Sequence, residues 1–241
     1  MGIEDIDLIN ELYAENPYDN FDENGLELDL QGFGSNRNIF EELVKKVRPK
    51  LIVEVGSWKG ASAINMAKCL KKFKIDGKVL CVDTWLGSIR CWDRINYGDF
   101  YRSMRFKNGY PQMYYQFIYN VINNGFKDII VPFPTTSLIA AKWLRLKKIK
   151  ADLIYIDGSH EEEDVYQDLK NYSKCLSERG IIFGDDINWK SVRKVVIKFT
   201  GENRLKLIIN KKRNYWIILP KRGSGSFIDK LVSRIRSDKS Y

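Results

Sequence analysis

Residues 51–62 read Leu51-Ile-Val-Glu-Val-Gly-Ser-Trp-Lys-Gly-Ala-Ser62. A short β-branched run that stops at a glycine is the pattern of a buried strand. The chain turns at Gly56 and enters a helix near Gly60. Glycines let the backbone approach a ligand closely, and a helix N-terminus favours a carboxylate or phosphate. The spacing is G-x-x-x-G rather than the G-x-G-x-x-G dinucleotide fingerprint. Alone the loop is a weak signal, since such a turn can cradle a ligand or simply join strand to helix.

Outward from this loop, apolar runs alternate with helical patterns. The runs Lys78–Val82, Ile129–Pro132, Asp152–Ile156 and Ile181–Phe183 follow as strands. Leu205–Ile209 and Tyr215–Leu219 flank a turn-like Asn210-Lys-Lys-Arg-Asn214, which is hairpin spacing. Ser35 can cap a helix with Ile39, Phe40, Leu43, Val44 and Val47 on its apolar face, ended by Pro49. Gly60–Lys72, Glu161–Leu176 and Lys190–Phe199 carry further helical stripes. The fold class is α/β: a doubly wound sheet, mostly parallel with a C-terminal antiparallel hairpin, and helices on both faces.

Strand ends supply the chemistry. The second run ends in Val82-Asp83-Thr84. An acidic residue there can bind both hydroxyls of a ribose, or can cap the next turn. The fourth run continues as Ile156-Asp-Gly-Ser-His160, and the fifth as Gly184-Asp-Asp186. In a parallel sheet both end on one edge, which brings Asp157, Asp185 and Asp186 together. Like charges this close need a shared proton or cation. Hard oxygen ligands with room for water suit magnesium, or manganese in its place. His160 is the only histidine in the chain. Its titration range suits a general base, while helix capping and metal ligation stay open for it. One of the three Asp residues could likewise serve only as a helix cap.

Taken in order, VEVGSWKGAS, VLCVDTW and IDGSH…GDD resemble the motifs of class I S-adenosylmethionine-dependent methyltransferases of Rossmann-like fold, over roughly residues 50–200. The last pattern resembles the metal-dependent O-methyltransferases that act on sugars in macrolide and glycan pathways. More distantly it resembles catechol O-methyltransferase, whose second residue of the final pair is Asn where this chain has Asp186. The resemblance implies that Glu54 and Gly56 line the methionine side of S-adenosylmethionine. It implies that Asp83 holds the ribose and that Pro134–Ser137, with Thr135 and Thr136, lies near the adenine. Ser57, Trp58, Gly60, Ser62, Thr84, Trp85 and Asp157 complete the expected cofactor lining. It also implies that Asp157, Asp185 and Asp186 ligate a divalent metal and that His160 is the base. A metal lowers the pKa of a hydroxyl and orients it, which is what methyl transfer to oxygen requires.

Residues 85–125 form an aromatic-rich insert placed to act as a lid over the mouth of the site. Its rings suit sugars or flat acceptors, or else a lid core. Trp85 is the ring best placed for a ligand contact. Arg90, Arg94, Arg102 and Arg105 could meet an anionic acceptor or simply be solvated.

Residues 1–220 are expected to form the methyltransferase domain, with N-terminal helices over 1–48, and residues 221–241 a basic amphipathic tail. From Asn203 onward eleven Lys or Arg face two Asp, so this end carries the whole net charge of +9. The tail could dock on a subunit, a membrane surface or an anionic polymer, or be a solvated end. A nucleic-acid methyltransferase is disfavoured, because neither an N-P-P-Y-type segment nor a Lys-Asp-Lys-Glu set is present. No apolar stretch is long enough for a transmembrane span. The acidic start is unlike a signal peptide. Four scattered cysteines point to a reducing, cytoplasmic setting. The expected activity is O-methyl transfer to a sugar or glycan hydroxyl, with a catechol-like small molecule or RNA as alternative acceptors. Homo-oligomer formation and membership in a longer protein stay open.

Overall fold

A computed structural model of the chain describes residues 7–23, 25–32 and 38–219. The Ser35 cap and the tail over 221–241 lie outside the described residues. Seven strands run β1 Leu51–Val55, β2 Lys78–Asp83, β3 Ile130–Pro134, β4 Ala151–Ile156, β5 Leu176–Asp185, β6 Lys206–Asn210 and β7 Tyr215–Leu219. The helices are α1 Leu8–Leu12, α2 Asn38–Val47, α3 Ala61–Lys72, α4 Ile89–Trp92, α5 Gly98–Ser103, α6 Met113–Asn123, α7 Ser137–Leu146, α8 Glu162–Tyr172 and α9 Lys190–Glu202.

The strands form one sheet in the order β3-β2-β1-β4-β5-β7-β6. β1 to β5 pair in parallel, and β7 runs antiparallel to both β5 and β6. The doubly wound sheet and C-terminal hairpin expected from the sequence are therefore both present. β1 is buried at every position, as a strand covered on both faces must be. Two apolar clusters, one on each face, complete the three layers. Phe40, Leu43, Ile64 and Phe117 belong to one, and Leu144, Leu169, Val196 and Phe199 to the other.

Gly184 shows why β7 sits beside β5. A Cβ there would lie 2.3 Å from the Trp216 ring and 2.5 Å from the Ile156 carbonyl oxygen. Only a glycine admits that indole against the strand.

Two elements differ from the sequence reading. Leu176 starts β5 rather than ending the preceding helix, because α8 stops at Tyr172 and a 3-10 turn over Ser173–Cys175 redirects the chain. The start of β5 is tied to β4 by Ser177, whose hydroxyl donates to Asp152 Oδ1 at 2.9 Å. The second is α7, for which no element was expected and which begins at Ser137 itself. Thr136 caps it by accepting from the Ile139 amide.

The order of strands reverses between β1 and β4, since β2 and β3 extend one way and β5 the other. A crevice opens outside the carboxyl ends of strands at such a point. The loops after β1, β2, β4 and β5 all meet there.

Candidate active site

The loop after β1 is built around close backbone approach. Gly56 has φ +88°, and a Cβ on it would stand 2.3 Å from the Asp157 carbonyl oxygen. Its amide donates to the Val82 carbonyl at 2.9 Å, which joins three strand ends. Gly60 caps α3 with φ +86°.

Glu54 is fully buried beneath this loop. Ser62 Oγ donates to its Oε1 at 2.5 Å, and Cys81 Sγ to its Oε2 at 3.5 Å. Burial pushes its carboxyl up to about 7, with hydrogen bonds opposing. Asp83 Oδ2 accepts the amides of Ser57 and Trp58, each at 2.9 Å, and its Oδ1 accepts the Trp85 amide at 2.8 Å. Burial raises its pKa, and these amides pull the other way. Asp83 thus shapes the loop through the amides of Ser57 and Trp58.

Trp85 is 3% exposed and packs on Tyr114 and Phe117. Its Nε1 donates to the Trp58 carbonyl at 2.7 Å. It is a core residue that props the loop, rather than a ring at the mouth. Thr84 accepts the Leu86 amide at 3.2 Å. Thr135 and Thr136 stand at the carboxyl end of β3, with the Thr136 hydroxyl engaged as the α7 cap.

Lys59 escaped the sequence reading. Its side chain is 3% exposed, and its ammonium is ion-paired with Asp29 and donates to Gln31 Oε1 at 2.8 Å. Both partners come from an extended N-terminal stretch without periodicity, so spacing gave no signal.

On the β4 and β5 side, ligand atoms of Asp157, His160 and Asp186 all lie within 4.8 Å of one another. His160 Nε2 lies 2.5 Å from Asp186 Oδ2, and Asn214 donates to Asp186 Oδ1 at 2.9 Å. Asp186 has φ +60°, a left-handed turn that swings its side chain off the strand direction. Tyr155 donates to Asp157 Oδ2 at 2.9 Å. Burial, and then the charges of Asp185 and Asp186, hold the Asp157 carboxyl well above its ordinary range. Asp185 is 5% exposed, and its Oδ1 accepts the Asp186 amide at 2.7 Å. It lines the same pocket but lies outside the trio whose ligand atoms converge within 4.8 Å.

Asp83 does cap its turn through the Trp85 amide, whereas the N-cap positions of α8 and α9 are Glu161 and Trp189, with no side-chain cap from His160 or an Asp. Two carboxylates and an imidazole supply hard oxygen and borderline nitrogen donors. Their mutual repulsion, felt at Asp157, is what a divalent cation would relieve. The donor set therefore fits the expected metal.

A family model described as a methyltransferase domain matches residues 53–187. Solved structures share the fold. One is the O-methyltransferase NovP, at 19% identity and TM-score 0.56, over 77% of this chain and 79% of that one. A second is the O-methyltransferase from Bacillus cereus solved with SAH, at 15% identity and TM-score 0.53, over 80% and 84%. A third is the calicheamicin methyltransferase CalS11, at 16% identity and TM-score 0.53, over 77% of each chain. No curated protein sequence matches the chain.

Proposed function

Because the chain belongs to the methyltransferase domain family that its residues 53–187 match, we propose that it is an S-adenosylmethionine-dependent O-methyltransferase acting on a sugar or glycan hydroxyl. The observation that carries this reading is the convergence of Asp157, His160 and Asp186 beside the Gly56–Gly60 loop. One crevice then offers a cofactor cradle on the β1 and β2 side and an oxygen-activating cluster on the β4 and β5 side.

S-adenosylmethionine supplies the methyl group as a sulfonium, so a C–S bond breaks as the C–O bond forms. The Gly56–Gly60 backbone, with Glu54 beneath it, would line the methionine end of the cofactor, and Thr135 and Thr136 its adenine end. Asp83 faces the ribose while retaining its grip on the Ser57 and Trp58 amides. Trp85 holds the loop in place through the Trp58 carbonyl.

Asp157 and Asp186 would hold a divalent ion, with Asp185 or His160 as a third donor. A bound divalent ion supplies positive charge that lowers the pKa of the acceptor hydroxyl. Asp186 accepts from the Nε2 side of His160, which leaves Nδ1 as the nitrogen free to take the hydroxyl proton. Asn214 fixes Asp186 from its other oxygen, so the imidazole is oriented before the acceptor arrives.

The test is transfer of labelled methyl to a panel of sugars, glycans, catechols and RNA, with magnesium and with chelator, for the wild type and Asp186→Asn. Transfer to a saccharide that chelator and the substitution both abolish is expected. Transfer indifferent to chelator would remove the metal from the reading. Transfer to catechols or RNA alone would replace the acceptor class.

A further inference from the structure

The insert between β2 and β3 brings one arginine to the reaction cluster. The Arg90 guanidinium lies 4.6 Å from the Trp189 ring centroid and 5.6 Å from that of Tyr97. Trp189 in turn rests against His160, with centroids 4.8 Å apart and planes at 34°. His160 reaches Asp186. The insert is thus coupled to the carboxylate cluster through a single indole.

Arg90 differs from its neighbours in what holds it. Arg102 is paired with Asp99, and Arg105 donates to Gln116 Oε1 and the Gly25 carbonyl. Among the described residues no carboxylate pairs with Arg90, and two ring faces hold it instead. Stacking fixes the plane of a guanidinium but leaves its in-plane N–H donors open. Those donors match a carboxylate or phosphate. The surrounding rings also retain free surface, with Trp189 38% and Tyr97 41% exposed. Such faces suit the C–H side of a sugar ring.

Resting on the sugar reading above, we propose that Arg90 is the anchor for the acceptor and selects saccharides that carry an anionic substituent, a carboxylate or a phosphate. The anion docks on Arg90 at the lid side of Trp189, and the hydroxyl to be methylated points to His160. The charge of Arg90 offsets the repulsion that Asp157, Asp185 and Asp186 exert on an anionic acceptor.

The test is equilibrium binding to the full chain with S-adenosylhomocysteine and magnesium chloride present, followed by tryptophan fluorescence. The probes are glucuronate, glucose 6-phosphate and methyl glucoside. At least one anionic probe should bind about tenfold more tightly than methyl glucoside, as one charge-assisted contact allows. The two anionic probes decide between carboxylate and phosphate. Arg90→Gln should erase the preference while S-adenosylhomocysteine binding stays at the wild-type level, and Arg90→Lys should keep part of it. Equal binding of all three probes by the wild type overturns the inference. So does an Arg90→Gln variant that keeps the preference. Methyl transfer measured on the same probes separates the two readings. A preference without transfer keeps the anion site and removes the saccharide reaction, whereas transfer without a preference does the reverse.

Discussion

Gly56 and Gly109 have nearly the same backbone but different surroundings, with φ +88° and +78°. At Gly56 an added Cβ meets backbone atoms of Asp157 and Gly158 at 2.3 to 2.7 Å, and at Gly109 it meets nothing within 4 Å. Gly109→Ala should therefore cost only the left-handed strain, about 1 kcal/mol. Gly56→Ala should cost about 3 kcal/mol or more, because backbone must move. It should also abolish S-adenosylhomocysteine binding. Urea midpoints and a cofactor titration on both variants check this, and equal midpoints would refute the contact argument. Gly56 was legible only in combination, since the loop alone could be a plain joint and the strand ends at Asp83 and Asp157 were needed to single it out. That Asp157, Asp185 and Asp186 share an edge was legible because parallel strand ends do, but the trio that converges has His160 in place of Asp185. What spacing did not give was rotamer. It could not tell that Asp186 would turn toward His160 while Asp185 turned to the Asp186 amide. Nor could it tell that Trp85 would point into the core.

Among the elements, α6 holds the Gly56–Gly60 loop through buried polar contacts as well as through the Phe117 ring. Asn120 is fully buried. It donates to the Lys59 carbonyl at 2.8 Å and the Asp29 carbonyl at 2.7 Å, and accepts from Gln116 at 3.0 Å. Asn120→Leu leaves these carbonyls without a donor and should destabilise the chain by about 2–3 kcal/mol. It should also weaken S-adenosylhomocysteine binding, since Lys59 lies in the loop. Thermal unfolding and calorimetry measure the two effects, and a variant that unfolds earlier but binds the cofactor unchanged would show that α6 does not brace the loop. Periodicity alone marks Tyr114 to Val121 as helical. It does not mark the buried amides, because Gln116 and Asn120 fall on the same stripe as Phe117 and Val121. No helix was expected over α7 for a similar reason. Its buried positions are Ala140, Ala141 and Leu144, while Leu138, Ile139 and Leu146 are exposed, so the apolar pattern does not mark one face. β5 begins earlier than its apolar core suggests, because Ser177 to Gly180 are polar residues extended by pairing at Ala151 and Leu176.

For the whole molecule, the consequence of burying carboxyls at the crevice is a particular pH dependence. Glu54 is raised from 4.5 to about 7 and Asp168 from 3.8 to about 6, each chiefly by burial. A carboxyl whose folded pKa exceeds its unfolded one holds more protons in the native state. Native stability is then greatest below the unfolded value and falls as pH rises through the folded value. Each such group costs about 1.4 kcal/mol per pH unit inside its window. The metal-free chain should therefore lose stability between about pH 5 and pH 7, by a few kcal/mol in all. Glu54→Gln should flatten the upper part of that fall, between about pH 6 and pH 7. A wild type that gains stability over this range would contradict the buried, protonated state of these groups. A divalent cation adds the opposite trend, because Asp157 and Asp186 must be ionised to bind it. Stabilisation by magnesium chloride should accordingly be small at pH 5, grow toward pH 7.5, and vanish in Asp186→Asn. Thermal midpoints over that range, with magnesium and with chelator, decide the matter. A magnesium effect that is the same at both ends would place the ion somewhere other than the carboxylate cluster.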